Sequence, residues 1–149
     1  MAILENPAIP VTAPAPPSGT HPSSAHHVQW NASLPYAALT YFTDDILEIV
    51  LDPDTRFSTS LVFGIVNEFS ARCETRAGRV LIDISGITSM ENDVARVFGQ
   101  ITATMRVALL GFGPADRVLA RFFMRKLDSK NSCIYVEERQ QALDFLYLP

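Results

Sequence analysis

Two nearly continuous apolar runs constrain this 149-residue chain more than any other feature: Arg79-Val-Leu-Ile-Asp-Ile84 and Met105-Arg-Val-Ala-Leu-Leu-Gly111. A strand with one face in water alternates apolar and polar residues, whereas an unbroken run marks a strand covered on both faces. Between the two runs, Val94, Val97, Phe98 and Ile101 recur at helical spacing. Strand, helix and strand in that order require a right-handed crossover, which makes the two strands parallel and lays the helix against the sheet.

The rest of the chain from residue 36 continues the alternation. Ala37–Phe42 and Ile46–Leu51 flank the polar turn Thr43-Asp44-Asp45, the pattern of a β-hairpin. Asp52-Pro53-Asp54 breaks the second of these strands. Ser58 or Thr59 is placed to cap a helix with Leu61, Val62, Ile65, Val66 and Phe69 on one face. Gly111-Phe112-Gly113-Pro114 turns the chain into a helix whose predicted inner face carries Val118, Leu119, Phe122 and Phe123. Ser132–Val136 is a further strand, and Glu137 to Leu148 a last helix packing through Ala142, Phe145 and Leu146. The predicted order is β-β-α-β-α-β-α-β-α. It implies an α/β fold with a mixed, mostly parallel sheet of about five strands and about four helices packed against it.

Residues 1–35 are of a different kind. They hold seven of the ten prolines, all three histidines, and Glu5 as their only charged residue. Prolines at this density favour polyproline II and leave too little apolar surface to offset the entropy of ordering. The segment 1–35 is therefore expected to be a disordered extension, with Trp30 docking on a domain of residues 36–149. His21, His26 and His27 form no preorganised metal site. Ala13-Pro-Ala-Pro-Pro17 lacks the flanking Arg or Lys of a proline-rich ligand. A solvated leader is the plainer expectation.

A formal net charge of −4 argues against nucleic acid as the main partner. No apolar run approaches the roughly 18 residues of a membrane span. The opening Met1-Ala-Ile-Leu-Glu-Asn-Pro7 lacks the basic and apolar regions of a secretion signal. Cys73 and Cys133 are expected to be reduced core residues. The expectation is a cytoplasmic protein.

The segment from Val80 to Val94, Val-Leu-Ile-Asp-Ile-Ser-Gly-Ile-Thr-Ser-Met-Glu-Asn-Asp-Val, resembles the signature of STAS domains, the anti-sigma-factor antagonist family. There a buried strand ends in Asp-Leu-Ser-Gly-Val, and an apolar residue followed by Asp-Ser opens the next helix. Asp83 to Ile87 match the first half, Met90 takes the apolar place, and Glu91 stands where the family has Asp. Residues 46–149, with Arg117-Val-Leu-Ala-Arg-Phe-Phe123 after a strand and turn, look like a divergent bacterial SpoIIAA-like branch.

The resemblance implies a signalling or regulatory module that binds a protein such as an anti-sigma factor, a kinase or a larger assembly. Its contact residues would be Ser85, Gly86, Thr88, Ser89, Glu91, Asn92 and Asp93. In antagonists that switch by phosphorylation, the serine after that Asp accepts phosphate. A dianion is favoured there by the helix dipole, yet repels an acidic partner. The matching position here is Asn92, followed by Asp93, so the usual switch is expected to be absent. Thr88 and Glu91 are spaced as a capping box, and Ser89 is equally placed to cap. Capping and phosphate acceptance both stay open for Thr88 and Ser89, with capping the plainer role.

Chemistry finds little support in the residues. No histidine lies after residue 35, so Ser-His and Cys-His nucleophile systems are excluded from the expected domain. Asp83 ends a buried strand like a receiver phosphoacceptor, but the acidic pair and the lysine that such a site needs are missing. Gly111-Phe112-Gly113 supplies two glycines of a dinucleotide loop, with Asp116 in the third place. No enzyme, cofactor or metal site is expected. Arg117, Arg121 and Arg125 share a helix face. They form either a solvated surface or an anion-recognising one for an acidic partner or a phosphate-bearing ligand. The competing class is a nucleotide- or lipid-binding module lined by Phe112, Phe122, Phe123 and Met124. A homo-oligomer formed through the sheet edge of the first hairpin is also open.

Overall fold

The computed structural model describes residues 27–73, 78–102, 106–127 and 132–148. The segment 1–26 of the expected extension lies outside these residues, as does Met105. Eight strands and four helices are described: β1 (Val28–Leu34), β2 (Ala37–Phe42), β3 (Ile46–Leu51), β4 (Arg56–Phe57), α1 (Thr59–Arg72), β5 (Arg79–Asp83), β6 (Ser89–Met90), α2 (Val94–Thr102), β7 (Arg106–Leu110), α3 (Pro114–Lys126), β8 (Ser132–Val136) and α4 (Arg139–Leu146).

Six strands form one sheet in the order β1-β2-β3-β5-β7-β8. The first three are an antiparallel meander, and β3, β5, β7 and β8 run parallel. The two apolar runs lie at the centre of the parallel half, as double coverage demands. Val80, Leu81 and Ile82 are all fully buried, with Val80 and Ile82 on one face and Leu81 on the other. On the first face, α1, α2 and α3 close the main core through Val62, Ile65, Phe69, Val94, Phe98, Ala120 and Phe123. On the second, among the described residues, α4 covers Leu81 and Ala108 with Ala142 and Leu146. Cys73 and Cys133 are free thiols, each half-buried.

Four expectations are corrected. The predicted extension runs to residue 35, but residues 28–34 are the edge strand β1, paired with β2. Trp30, Ala32 and Leu34 alternate with exposed Asn31 and Ser33, a period of two that the proline-rich composition upstream obscures. Trp30 is part of that strand, its ring 5.7 Å from Tyr41 and 6.0 Å from Phe69. The sheet of about five strands gains β1 as its sixth, and β4 and β6, too short to show periodicity, form a separate pair. On α3 the inner face runs through Asp116, Ala120 and Phe123, while Val118 is 61% exposed beside the arginine row. The last helix begins at Arg139, since Glu137 and Glu138 lie in the bend that leaves β8.

Candidate functional site

The parallel strands β3, β5, β7 and β8 all end on one side of the molecule. In open α/β sheets that side is where loops gather and ligands bind. Here the loop after β5 is tied down along its whole length. Ile84 donates its amide to Leu110 O at 2.8 Å, and Ser85 donates to Asp83 Oδ1 at 3.0 Å. Gly86 turns at φ +79°, and its carbonyl accepts from Asp54 N at 2.8 Å. Thr88 N and Glu91 N then reach across to Thr55 O and Phe57 O, each at 2.9 Å. These last bonds bracket the pairing of β6 with β4, Ser89 beside Arg56 and Met90 beside Phe57.

That pairing corrects two expectations. The backbone stays extended through Glu91, so α2 opens at Val94 and not at Glu91. The capping box between Thr88 and Glu91 does not form, and Ser89 is a strand residue. The Thr88 hydroxyl donates to Thr55 O at 3.3 Å. Glu91 turns instead to the N-terminus of α1. Its Oε1 accepts from Thr59 N at 2.8 Å and from Thr59 Oγ1 at 3.1 Å, and Arg56 lies 3.3 Å from Oε2. The Thr59 amide and hydroxyl, together with Arg56, hold the Glu91 carboxyl below the ordinary range. Ser58 occupies the other capping position, accepting from Leu61 N at 3.1 Å.

The neighbouring helix N-terminus is treated similarly. Asp116, 4% exposed in the first turn of α3, accepts from Phe112 N at 2.8 Å and Gly86 N at 3.4 Å. Gly111 must be glycine here, because a Cβ would lie 2.8 Å from both Asp116 Cβ and Tyr135 Cε1. Glu137 accepts from Gly113 N at 3.2 Å, from Arg117 at 2.9 Å and from the Tyr135 hydroxyl at 2.8 Å. Burial first, and then its bond to Glu137, raise the Tyr135 phenol to about 12.

The expected contact residues therefore divide. Arg56, Thr59, Met90, Glu91, Asn92 and Asp93 line one shallow open recess, so the structure brings Glu91, Asn92 and Asp93 together. Ser85 is held by Asp83, Gly86 belongs to the knot around Asp116, and Ser89 to β6. Thr88, Asn92 and Asp93 are exposed. The corner is less acidic than its sequence implies, because Arg56 faces Glu91 and Arg96 lies 2.9 Å from Asp93. Sequence reasoning missed Arg56, Thr59 and the role of Asp116. The acidic residue just inside a glycine-proline helix start was the available signal for Asp116.

The arginine row also divides. Arg117 is engaged by Glu137, whereas Arg121 and Arg125 flank an open recess with Met124. The aromatic residues divide as well: Phe123 is fully buried against Phe98, Phe112 is 82% exposed, and Phe122 lies under Lys126. Among the described residues no cluster of His, Cys, Asp and Glu is arranged to hold a metal, and no helix is long and apolar enough to cross a membrane.

A meander leads into parallel strands, with three helices on one face and the pinned loop after β5, and this arrangement is a SpoIIAA-like fold. A solved structure shares it: an uncharacterized protein of the DUF3478 family from Shewanella loihica PV-4, described as having a SpoIIAA-like fold. It superposes with a TM-score of 0.50 over 81% of this chain and 94% of that one, at 17% identity. The chain itself belongs to the DUF7793 family, a domain of unknown function whose model matches residues 40–148. No curated protein matches it in sequence.

Proposed function

We propose that this domain is a noncatalytic regulatory module, cytoplasmic and of bacterial signalling type, that binds another protein through Thr88, Asn92 and Asp93. The observation that carries this is the way the N-termini of α1 and α3 beside the strand ends are filled. A free helix N-terminus is a ready anion site. Here Glu91 occupies that of α1, while Asp116 and Glu137 hold the backbone at the start of α3. At these two starts a phosphate-bearing ligand would have to displace the chain's own carboxylates. What remains presented is a ridge of short polar side chains on a backbone fixed from both ends, which suits docking to a protein surface of complementary shape.

Partners of the expected kinds are an anti-sigma factor, a kinase or a signalling assembly. The Asp93–Arg96 pair is exposed and contributes little to stability. The test is capture of partners by tagged protein, comparing the natural chain with Thr88→Lys/Asp93→Lys, alongside thermal shift with nucleotides and acyl compounds. Loss of a captured protein in the variant, with no ligand-induced shift, is the expected result. A shift with a nucleotide or acyl compound favours the ligand-binding class.

A further inference from the structure

Among the described residues β1 is hydrogen-bonded along one side only, to β2. An edge strand presents free N–H and C=O groups, and proteins commonly blunt such an edge with charge, proline or extreme shortness. Between Trp30 and Leu34 this chain uses none of these. Trp30-Asn31-Ala32-Ser33-Leu34 has no charged residue, and Pro35 falls beyond it in the turn. The irregularity at Gln29 lies before it, between Val28 and Trp30. The opposite edge differs, since both α3 and α4 pack against β8 and Glu137 follows it. Among the described residues α1 packs over β1, and on the far face Asn31 and Ser33 are exposed.

The side chains of this edge are self-complementary. Trp30 and Leu34 are half-buried at the margin of the main core, with Ala32, also half-buried, between them. Large, polar, small, polar, large is the same pattern in both directions. If two copies run antiparallel about an axis through Ala32, each Trp30 meets a Leu34, the two Ala32 methyls meet at the axis, and Asn31 meets Ser33. Directly opposed side chains approach to about 5 Å, which suits an aromatic against an aliphatic and a small pair at the centre.

A second observation lies on α1. Gly64, Glu68 and Arg72 succeed one another at four-residue spacing, and the Arg72 guanidinium sits 5.1 Å above the Trp30 ring. A Cβ at Gly64 would meet nothing within 4 Å. Mid-helix glycine weakens a helix, and packing among the described residues gives no reason for it. Close approach of a second backbone along that flank does.

We infer that two copies of this chain join through β1, edge to edge, in an isologous two-fold dimer with one continuous sheet. The experiment is sedimentation equilibrium of the full chain, of Asn31→Lys/Ser33→Lys, and of Ala32→Cys after mild oxidation. The full chain is expected at twice its 16.4 kDa. The double-lysine variant, which sets like charges around the axis on the exposed face, is expected at half that mass with unchanged thermal melting. Ala32→Cys is expected to yield a covalent dimer linked at position 32, located by mass spectrometry. Monomeric full chain overturns the inference, whether residues 1–26, another protein or solvent holds the edge. A dimer that survives the double-lysine change, or fails to link at position 32, overturns it as well. If the double-lysine variant does not fold, the position-32 link decides.

Discussion

Glu91 shows how a single side chain decides what this surface can do. Its carboxylate holds the start of α1 from a loop 32 residues away, so it fixes the ridge that carries Asn92 and Asp93. Because the folded state lowers its pKa, the ionised form is favoured by folding. That stabilisation is complete above the ordinary glutamate value of about 4.3 and is lost as pH falls through the lower folded value. Glu91→Gln is therefore expected to melt at a lower temperature at neutral pH, with the gap to the natural chain closing in acid. A gap independent of pH in melting curves contradicts this. Gly86, at φ +79° with Pro53 Cβ 3.4 Å from where a Cβ would sit, is a second fixed point. Gly86→Ala should cost about 1–2 kcal/mol in urea unfolding, the penalty of a left-handed backbone for a residue with a Cβ. Since Asn92 cannot accept phosphate, intact-mass and peptide spectra of protein from growing cells are expected to show no stoichiometric phosphate within residues 88–93. At this scale the sequence revealed the Ser58 cap, because its partner is three residues away, but not the contact of Glu91 with Thr59. Spacing identifies local partners, and a capping box is only one use to which a glutamate can be put.

At the scale of elements, α4 is held in an unusual way. Arg79 and Arg106 are neighbours in the β5–β7 register, a like-charge pair that would be unfavourable alone. Both point to the end of α4, where Arg79 Nε donates to Leu146 O at 2.8 Å and Arg106 donates to Phe145 O at 3.2 Å and to Leu148 O. Cations at a helix C-terminus also oppose its dipole charge. Arg79→Met should lose about 1.5–3 kcal/mol, the range for hydrogen bonds to a charged group. Amide hydrogen exchange of α4 is expected to accelerate before that of β5 or β7. Uniform acceleration across the fold would contradict the assignment. The elements themselves were largely legible: continuous apolar runs gave β5 and β7, and helical spacing gave α1 and α2. What failed had physical causes. β1 carries its period-two pattern next to a proline-rich stretch, β4 and β6 have two residues each, and Val118 sits on a helix with apolar residues on more than one side.

For the whole molecule, the resemblance carried by Asp83 to Ile87 foretold the SpoIIAA-like fold, and the superposition on the solved structure, at 17% identity, bears it out. Function was less legible because it depends on which charges remain unspent after folding. Glu91, Asp116 and Glu137 look like a free acidic surface in one dimension, yet each is engaged by backbone amides or arginines in three. The proposed docking surface falls to exposed Thr88, Asn92 and Asp93, of which Asp93 pairs with the exposed Arg96. The most direct measurement is quantitative mass spectrometry of proteins retained by the tagged natural chain and by Thr88→Lys/Asp93→Lys, both verified to melt alike. The account predicts a protein held in stoichiometric amount by the first and lost by the second. Equal retention by both chains, or retention of no stoichiometric protein by either, would contradict it.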